Sequence, residues 1–153
     1  MRKRTAGRIL AVQALYQWDV RGAHFLRELP EFLQGASEDA EVIAQAGELF
    51  HGCAEHQDEI DASISACAEH YDLARIAAVD RAILRLGAYE LLRRPDVPPK
   101  VAIDEAIRIA KKFSTAESGA FVNGILDRIM ARARPAAGRA AHRPADAAEG
   151  EKK

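Results

Sequence analysis

The sequence predicts an all-helical protein. Ala, Leu, Ile, Arg and Glu dominate its 153 residues and clusters of β-branched residues are few, a composition that favours helices over sheets. Apolar residues also recur at three- and four-residue spacings along most of the chain, which is the period of a helix with one buried face. A chain of this length buries one core, so we expect a single compact unit.

The first half of the chain predicts a central helix, a short helix and a long helical region. Residues 5–20 are apolar on nearly every side except for a narrow stripe of Gln13 and Gln17, which is typical of a helix at the centre of a bundle. The stretch HFLRELPEFLQG predicts a short helix that is interrupted near Pro30. Apolar residues at helical spacing then predict one long helical region over residues 37–71.

The second half predicts three more helices. Residues 75–94 place apolar side chains on one face, and three prolines then end the helix. Pro99 suits the first turn of the next helix, whose inward face is expected to extend to Phe113. The sequence STAE follows, with Ser114 and Glu117 at the spacing of a capping box, and starts the last helix.

The last helix contains the dipeptide Asn123-Gly124, which in other settings marks a hairpin turn. Core positions continue at helical spacing on both sides, so we expect helix through it, although a glycine within a helix costs about 1 kcal/mol. Beside the core face runs a stripe made of Glu117, Phe121, Gly124, Arg128 and Arg132. One ring, one steric gap and two cations suit single-stranded RNA; the alternative is that Phe121 and Gly124 pack on a neighbouring helix.

Charges of opposite sign are segregated along the chain, although the formal net charge is only −1. Residues 28–61 contain ten acidic side chains and no Lys or Arg, whereas residues 75–134 contain twelve basic and seven acidic side chains, a net charge of +5. Arg4 and Arg8 lie near the start of the first helix, where a cation is unfavourable for the helix dipole. They indicate either a phosphate-binding helix end or a solvated terminus.

The sequence offers no recognisable catalytic, metal or cofactor site. Glu90 lies inside an apolar face, where it is either paired with an internal donor or catalytic. Cys53 and Cys67 each stand three residues before a histidine, His56 and His70, but the two pairs are 14 residues apart, about 21 Å along a helix, so a zinc site needs a turn between them. No phosphate-binding glycine loop, nucleophile elbow or dinucleotide motif is present, so we expect neither an enzyme nor a cofactor.

We expect the chain to be soluble and cytoplasmic. No apolar run approaches the length of a membrane-spanning helix, no cleavage site follows the basic N-terminus, and two cysteines are too few for a disulfide framework. Residues 135–153 lose all periodicity and are rich in Ala, Pro, Gly and charge, which predicts a disordered tail.

Three long motifs carry a family resemblance. AVQALY lies in the first predicted helix, DVPPKVAIDEAI spans the proline-rich loop and the next helix, and FVNGILD lies in the last helix. With their flanking residues, from Arg4 to Ile129, they resemble the NusB family of bacterial transcription antitermination factors. The resemblance implies an all-α fold of two packed helical bundles with about seven helices, the first over about residues 1–72 and the second over about residues 73–134.

The resemblance implies RNA binding without catalysis. Family members bind the boxA element of nascent RNA, notably in ribosomal RNA leaders, together with the ribosomal protein NusE, and help RNA polymerase to pass terminators. The implied RNA-binding residues of this chain are Arg2, Lys3, Arg4, Arg8, Gln13, Tyr16, Glu117, Ser118, Phe121 and Arg128. Asp80 is the implied contributor to the surface for NusE.

Departures from the family pattern bear on this interpretation. Relatives often carry basic residues at three positions where this chain has Thr5, Ala6 and Ala120. The missing charge shifts the expected phosphate contacts toward Arg2, Lys3 and Arg128 or toward the partner.

Two alternative functions remain open at this point. The first is a self-associating helical module, since some family members dimerise through the surface that others use for RNA. The second is an RNA-recognition domain related to that of ribosomal RNA methyltransferases, without the catalytic part. A methyltransferase would continue into a nucleotide-binding domain with strands, whereas this sequence continues into the predicted tail, which disfavours the second alternative.

Overall fold

The fold is all-α, as predicted. The computed structural model describes residues 1–69 and 71–134, so His70 and the predicted tail at 135–153 lie outside the described residues. The described residues form seven α-helices and one short 3-10 turn, Leu73–Arg75. The helices are α1 (Lys3–Arg21), α2 (Phe25–Ala36), α3 (Ala40–Glu55), α4 (Gln57–Cys67), α5 (Ala78–Arg93), α6 (Pro99–Phe113) and α7 (Ala116–Ala133).

Helices α1 and α5 form the centre of the molecule. Helix α1 packs on α2, α3 and α5, and α5 packs in addition on α4, α6 and α7. The two central helices run antiparallel, because Arg8 of α1 meets Glu90 of α5 at one end while Asp19 meets Arg81 at the other. Helix α4 packs chiefly on α5 and α7 and makes little contact with α3. The division into bundles near residue 72 therefore stays a prediction.

The long helical region predicted over residues 37–71 is divided in two. Helix α3 ends at Glu55 and α4 begins at Gln57, so the chain turns at His56. Because of this turn, α4 does not continue along the axis of α3 and packs on α5 instead. Its Ile60 and Ile64 side chains are fully buried there. Periodicity alone did not reveal the turn, because apolar spacing is helical on both sides of it.

The interruption predicted near Pro30 is wrong. Helix α2 continues through Pro30 in its second turn. A proline there removes one backbone hydrogen bond, but α2 is anchored by Phe25, Leu29 and Leu33, whose side chains are buried on one face. Burial of three large apolar side chains, each contributing about 1.5–3 kcal/mol, outweighs that loss.

The start of the last helix differs from the prediction by one residue. Thr115, not Ser114, is the N-cap of α7, and its side chain accepts a hydrogen bond from the backbone N–H of Ser118 at 3.0 Å. Helix α7 continues through Asn123-Gly124, as predicted. Phe113, by contrast, was expected to face inward, yet 42% of its surface is exposed, because it is the last residue of α6 and projects past the core.

Both cysteines are buried free thiols. Burial raises the pKa of the Cys53 thiol, which therefore stays protonated. Among the described residues, no group of three or more metal-binding side chains lies together, and His70 of the second Cys-His pair is outside that set. None of the described helices is long and apolar enough to cross a membrane.

Candidate nucleic-acid interface

Arg8 is inside the protein rather than on its surface. Its guanidinium donates to both carboxylate oxygens of Glu90 at 2.9 Å and lies 3.7 Å from a carboxylate oxygen of Glu105. Only 3% of Arg8 and 2% of Glu90 is exposed. This corrects the assignment of Arg8 to RNA, since internal carboxylates hold its guanidinium, and it identifies the partner that the position of Glu90 required.

The other basic residues at the start of α1 remain exposed. Lys3 pairs with Glu41 and lies 3.3 Å from Asp39 at the start of α3. The hydrogen bond to Glu41 raises the pKa of Lys3, and the backbone N–H of Glu41 lowers the pKa of Asp39. Arg2 is exposed, and Arg4 lines an open cleft that contains the Arg8–Glu90 pair, at the C-terminal end of α5.

Gln13 and Tyr16 lie along a different part of α1. They line a groove of about 470 Å³, whose other walls come from three helices that the sequence does not place together. The lining is mainly apolar and includes Phe32 of α2, Val79 of α5 and Phe113 of α6. Gln13 is exposed at the rim, whereas Tyr16 is half-buried in the wall.

Glu117, Ser118 and Phe121 of α7 line a second cleft, of about 330 Å³. The aromatic rings of Phe121 and Tyr71 meet edge to face, with centroids 5.2 Å apart. Asp80 is in the same cleft, and its Oδ2 accepts a hydrogen bond from Ser118 Oγ at 3.0 Å. The residue that the resemblance assigned to NusE thus lies among residues assigned to RNA.

The groove and the cleft lie next to each other at the first turn of α5, where Val79 lines the groove and the following residue, Asp80, lines the cleft. We call this combined surface the α1–α7 strip, formed by Gln13, Tyr16, Tyr71, Arg75, Val79, Asp80, Lys112, Phe113, Glu117, Ser118 and Phe121. Lys112 lies at one end, beside Met1 and Gln13, and Arg75 lies at the other. Both cations are exposed.

Sequence reasoning missed five members of the strip, namely Tyr71, Arg75, Val79, Lys112 and Phe113. Tyr71 and Arg75 lie at the borders of two predicted helical segments, residues 37–71 and 75–94, and Phe113 was mistaken for a core residue. The adjacent pair Lys111-Lys112, at the end of a helix that ends in an exposed ring, was the available signal.

Arg8 and Phe121, which the resemblance both assigned to RNA, do not lie on a shared patch. Arg8 contacts Glu90, whereas Phe121 shares its cleft with Asp80, ten residues earlier on α5. Ten helical residues separate the two positions by about 15 Å along the axis. The expected basic surface therefore divides into an α1 terminus and the α1–α7 strip.

Arg128 and Gly124 extend the side stripe of α7 toward α4. Arg128 is exposed, but its Nε donates to the carbonyl oxygen of Cys67 at 2.9 Å, which ties the guanidinium to the end of α4. A Cβ built on Gly124 would lie 3.8 Å from the Arg128 guanidinium, an ordinary contact. Nothing within the described chain therefore requires glycine at this position.

Replacing Gly124 with Ala is expected to stabilise the protein by about 0.5–1 kcal/mol, because alanine loses less backbone entropy in a helix. Chemical denaturation of the two proteins measures the difference. If a bound strand approaches the helix backbone at this glycine, the same variant will bind RNA more weakly while being more stable. A loss of stability would contradict the open surroundings seen at this position.

The fold and the strip place this chain in the class of all-helical binding proteins. Its open surface carries aromatic rings and cations. The chain belongs to the NusB family. The family model matches residues 5–131.

Individual relatives agree with this membership. The transcription antitermination protein NusB of Sorangium cellulosum is 43% identical over 129 residues, which cover 84% of this chain and 92% of that protein. The NusB of Desulfatibacillum aliphaticivorans is 45% identical over 129 residues, covering 84% and 90% of the two chains.

Solved structures share the fold. A crystal form of T. maritima NusB superposes with a TM-score of 0.75 at 36% identity, covering 91% of this chain and 98% of that one. A structure of the antitermination factors NusB and NusE in complex with double-stranded RNA contains a chain that superposes with a TM-score of 0.77 at 29% identity, covering 86% and 98%.

Proposed function

We propose that this chain is a transcription antitermination factor that binds single-stranded boxA RNA of ribosomal RNA operons together with NusE, and so supports processive transcription by RNA polymerase. Family membership supports this function, since its curated relatives carry the name transcription antitermination protein. A solved relative that was crystallised with NusE and RNA supports both partners. The observation on this chain that carries the proposal is the α1–α7 strip.

The strip has the groups that bind unpaired RNA. Tyr71 is 53% exposed and Phe121 lies beside it, so bases can stack on these two rings in the cleft. Lys112 and Arg75 supply positive charge for phosphates at its two ends. Gln13 and Ser118 offer polar contacts between them. In this proposal Arg2, Arg4 and Arg128 attract the RNA from a distance, and Arg8 has a structural role.

The apolar groove suits a protein partner better than it suits RNA. Its walls are formed mainly by Tyr16, Val79 and Phe113, with few polar groups to satisfy a nucleotide. We propose that NusE covers this groove, because a NusB relative has been solved with NusE. RNA would then follow the polar rim, with the two partners side by side.

The protein acts by binding rather than by catalysis, and its place of action is the bacterial cytoplasm.

Changing Lys112 to Ala is expected to weaken binding of a labelled boxA oligoribonucleotide by about fivefold, the effect of roughly 1 kcal/mol. The slope of log affinity against log salt should become shallower by about 0.7, the value for one lost phosphate contact on a single strand. Lys100→Ala is the matched control, because Lys100 is exposed at the opposite end of α6. Fluorescence anisotropy in a salt series, with and without NusE, measures both effects.

Equal weakening by the two lysine variants would mean that only net charge matters, and it would remove the strip from the RNA site. Sedimentation at several protein concentrations separates the alternative of a self-associating module. A stable dimer that persists in the presence of RNA and leaves the RNA unbound would favour that alternative over the proposed function.

A further inference from the structure

Asp80 carries an unusual polar atom. The residue is only 7% exposed, and its Oδ2 accepts the hydrogen bond from Ser118. Its Oδ1 is buried and has no hydrogen-bond partner within residues 1–69 and 71–134. Buried carboxylate oxygens in proteins are almost always paired, because an unpaired one forfeits its hydration without compensation. Such an acceptor is open to a hydrogen-bond donor from outside the described chain.

Neighbouring hydroxyl groups hold the Asp80 carboxylate in position. Ser118 Oγ lies 2.8 Å from Ser114 Oγ and 3.2 Å from Thr115 Oγ1, so its hydroxyl is fixed at the start of α7. One carboxylate oxygen is thereby tied to α7. The carboxylate held in this way forms part of the lining of the cleft.

The surroundings of Asp80 indicate what kind of donor completes it. The cleft also contains the Tyr71–Phe121 ring pair and the exposed Arg75, which has no ion-pair partner among the described residues. A lysine or arginine from a protein would also satisfy Asp80, since the cleft holds two carboxylates, Asp80 and Glu117, but it would leave the Arg75 cation without a partner. A nucleotide satisfies all three groups at once, because its base stacks on a ring, its phosphate pairs with the cation, and an amino group of the base donates to the carboxylate.

From this juxtaposition we infer that Asp80 is a specificity-determining residue that accepts a hydrogen bond from the exocyclic amino group of one unstacked base of the bound RNA. The amino group belongs to a guanine, adenine or cytosine, since uracil has none. Ser118 is the positioning residue that orients the carboxylate. This inference rests on the RNA binding proposed above and adds base selection to it.

The test removes amino groups from the RNA one position at a time. In a boxA oligoribonucleotide, inosine replaces guanosine, purine riboside replaces adenosine, and 2-pyrimidinone riboside replaces cytidine. Binding of each RNA to the full chain with NusE is measured by fluorescence anisotropy. Loss of one particular amino group is expected to weaken binding to the unmodified protein by about tenfold, the effect of a hydrogen bond to a charged acceptor.

Variants of the protein assign that effect to Asp80. Asp80→Ala should bind the unmodified RNA about tenfold more weakly. It should also lose its sensitivity to that one position, because the variant has already lost the hydrogen bond that deletion of the amino group would remove. Asp58→Ala is the matched control, because it removes the same charge from an exposed position in the first turn of α4, outside the strip, and leaves the Asp80 acceptor in place. Asp80→Asn keeps the size of the side chain and should show an intermediate sensitivity, which serves if the alanine variant folds poorly.

Three results would overturn the inference. The first is tight RNA binding that no amino-group deletion weakens, which leaves the proposed function intact. The second is an Asp80→Ala protein as sensitive to the deletions as the unmodified one. The third is an equal loss of affinity for NusE alone in Asp80→Ala, since the donor would then come from the protein partner. Failure of the unmodified protein to bind boxA RNA at all would instead overturn the proposed function.

Discussion

Replacing Arg8 with Ala is expected to destabilise the protein by about 3–5 kcal/mol, because the change leaves a charged carboxylate unpaired in the interior. Glu90 is 2% exposed and receives both of its side-chain hydrogen bonds from Arg8. A loss of this size is a large part of the roughly 5–15 kcal/mol that stabilises a typical domain. Urea denaturation followed by circular dichroism measures it.

Arg21→Ala is a matched control for this prediction. Arg21 also binds a carboxylate through short contacts, 2.8 Å to each oxygen of Glu28, but both side chains are substantially exposed. Its loss is expected to cost no more than about 1 kcal/mol, since water screens and replaces the pair. An Arg8 variant no less stable than the Arg21 variant would show that Glu90 finds another partner or becomes protonated.

A double variant separates the pair from its surroundings. Arg8→Met combined with Glu90→Leu removes both charges and keeps apolar volume, so it should recover much of the stability lost in either single variant. Comparing the single and double variants also shows whether a loss of RNA binding comes from unfolding. An Arg8 variant that fails to bind RNA does so because it is partly unfolded, and the double variant should bind once it is folded.

Replacing Gly52 with Ala is the change with the second-largest expected effect, a loss of about 1–3 kcal/mol from overpacking. A Cβ at this position would lie 2.2 Å from both Cζ and Oη of Tyr89, far inside van der Waals contact. The Tyr89 ring is itself buried and stacks on His56, so it has little room to move. The glycine thus allows α3 to approach α5 closely.

Gly35→Ala is the control, because no atom lies within 4 Å of a Cβ built there. The same substitution should be neutral or slightly stabilising at Gly35, by up to about 1 kcal/mol. Thermal unfolding of both variants gives the comparison. If the Tyr89 ring is the cause, combining Gly52→Ala with Tyr89→Leu should cost clearly less than the sum of the two single losses. Strict additivity would point to another cause.

The local part of the fold was predictable from the sequence. Apolar spacing located the central helix and the continuous helix through Asn123-Gly124, because periodicity records which face of a helix meets the core. The errors in the predicted secondary structure concerned single positions. The turn at His56, the cap at Thr115 and the uninterrupted helix at Pro30 each depend on how the chain packs rather than on the pattern of residues around them.

The candidate site was only partly predictable. The resemblance supplied Gln13, Tyr16, Ser118 and Phe121, which lie along one strip in the structure. Arg8 was assigned to phosphate because its charge and its place near a helix start are visible in the sequence, whereas its partner is 82 residues away. Lys112 and Arg75 received no role, since nothing in a charge pattern says which cations lie beside which rings.

By itself the sequence determined that the chain is helical, which faces of its helices are apolar, and to which family it belongs, because these properties depend on neighbouring residues and on long motifs. Only the tertiary structure decided which charges are buried in pairs and which remain exposed. Burial turned Arg8 from a surface cation into the partner of Glu90, and packing of α5 against α7 joined Asp80 to Ser118 beside an aromatic pair. A side chain's availability to a ligand is set by neighbours distant in the chain, and only folding brings them together.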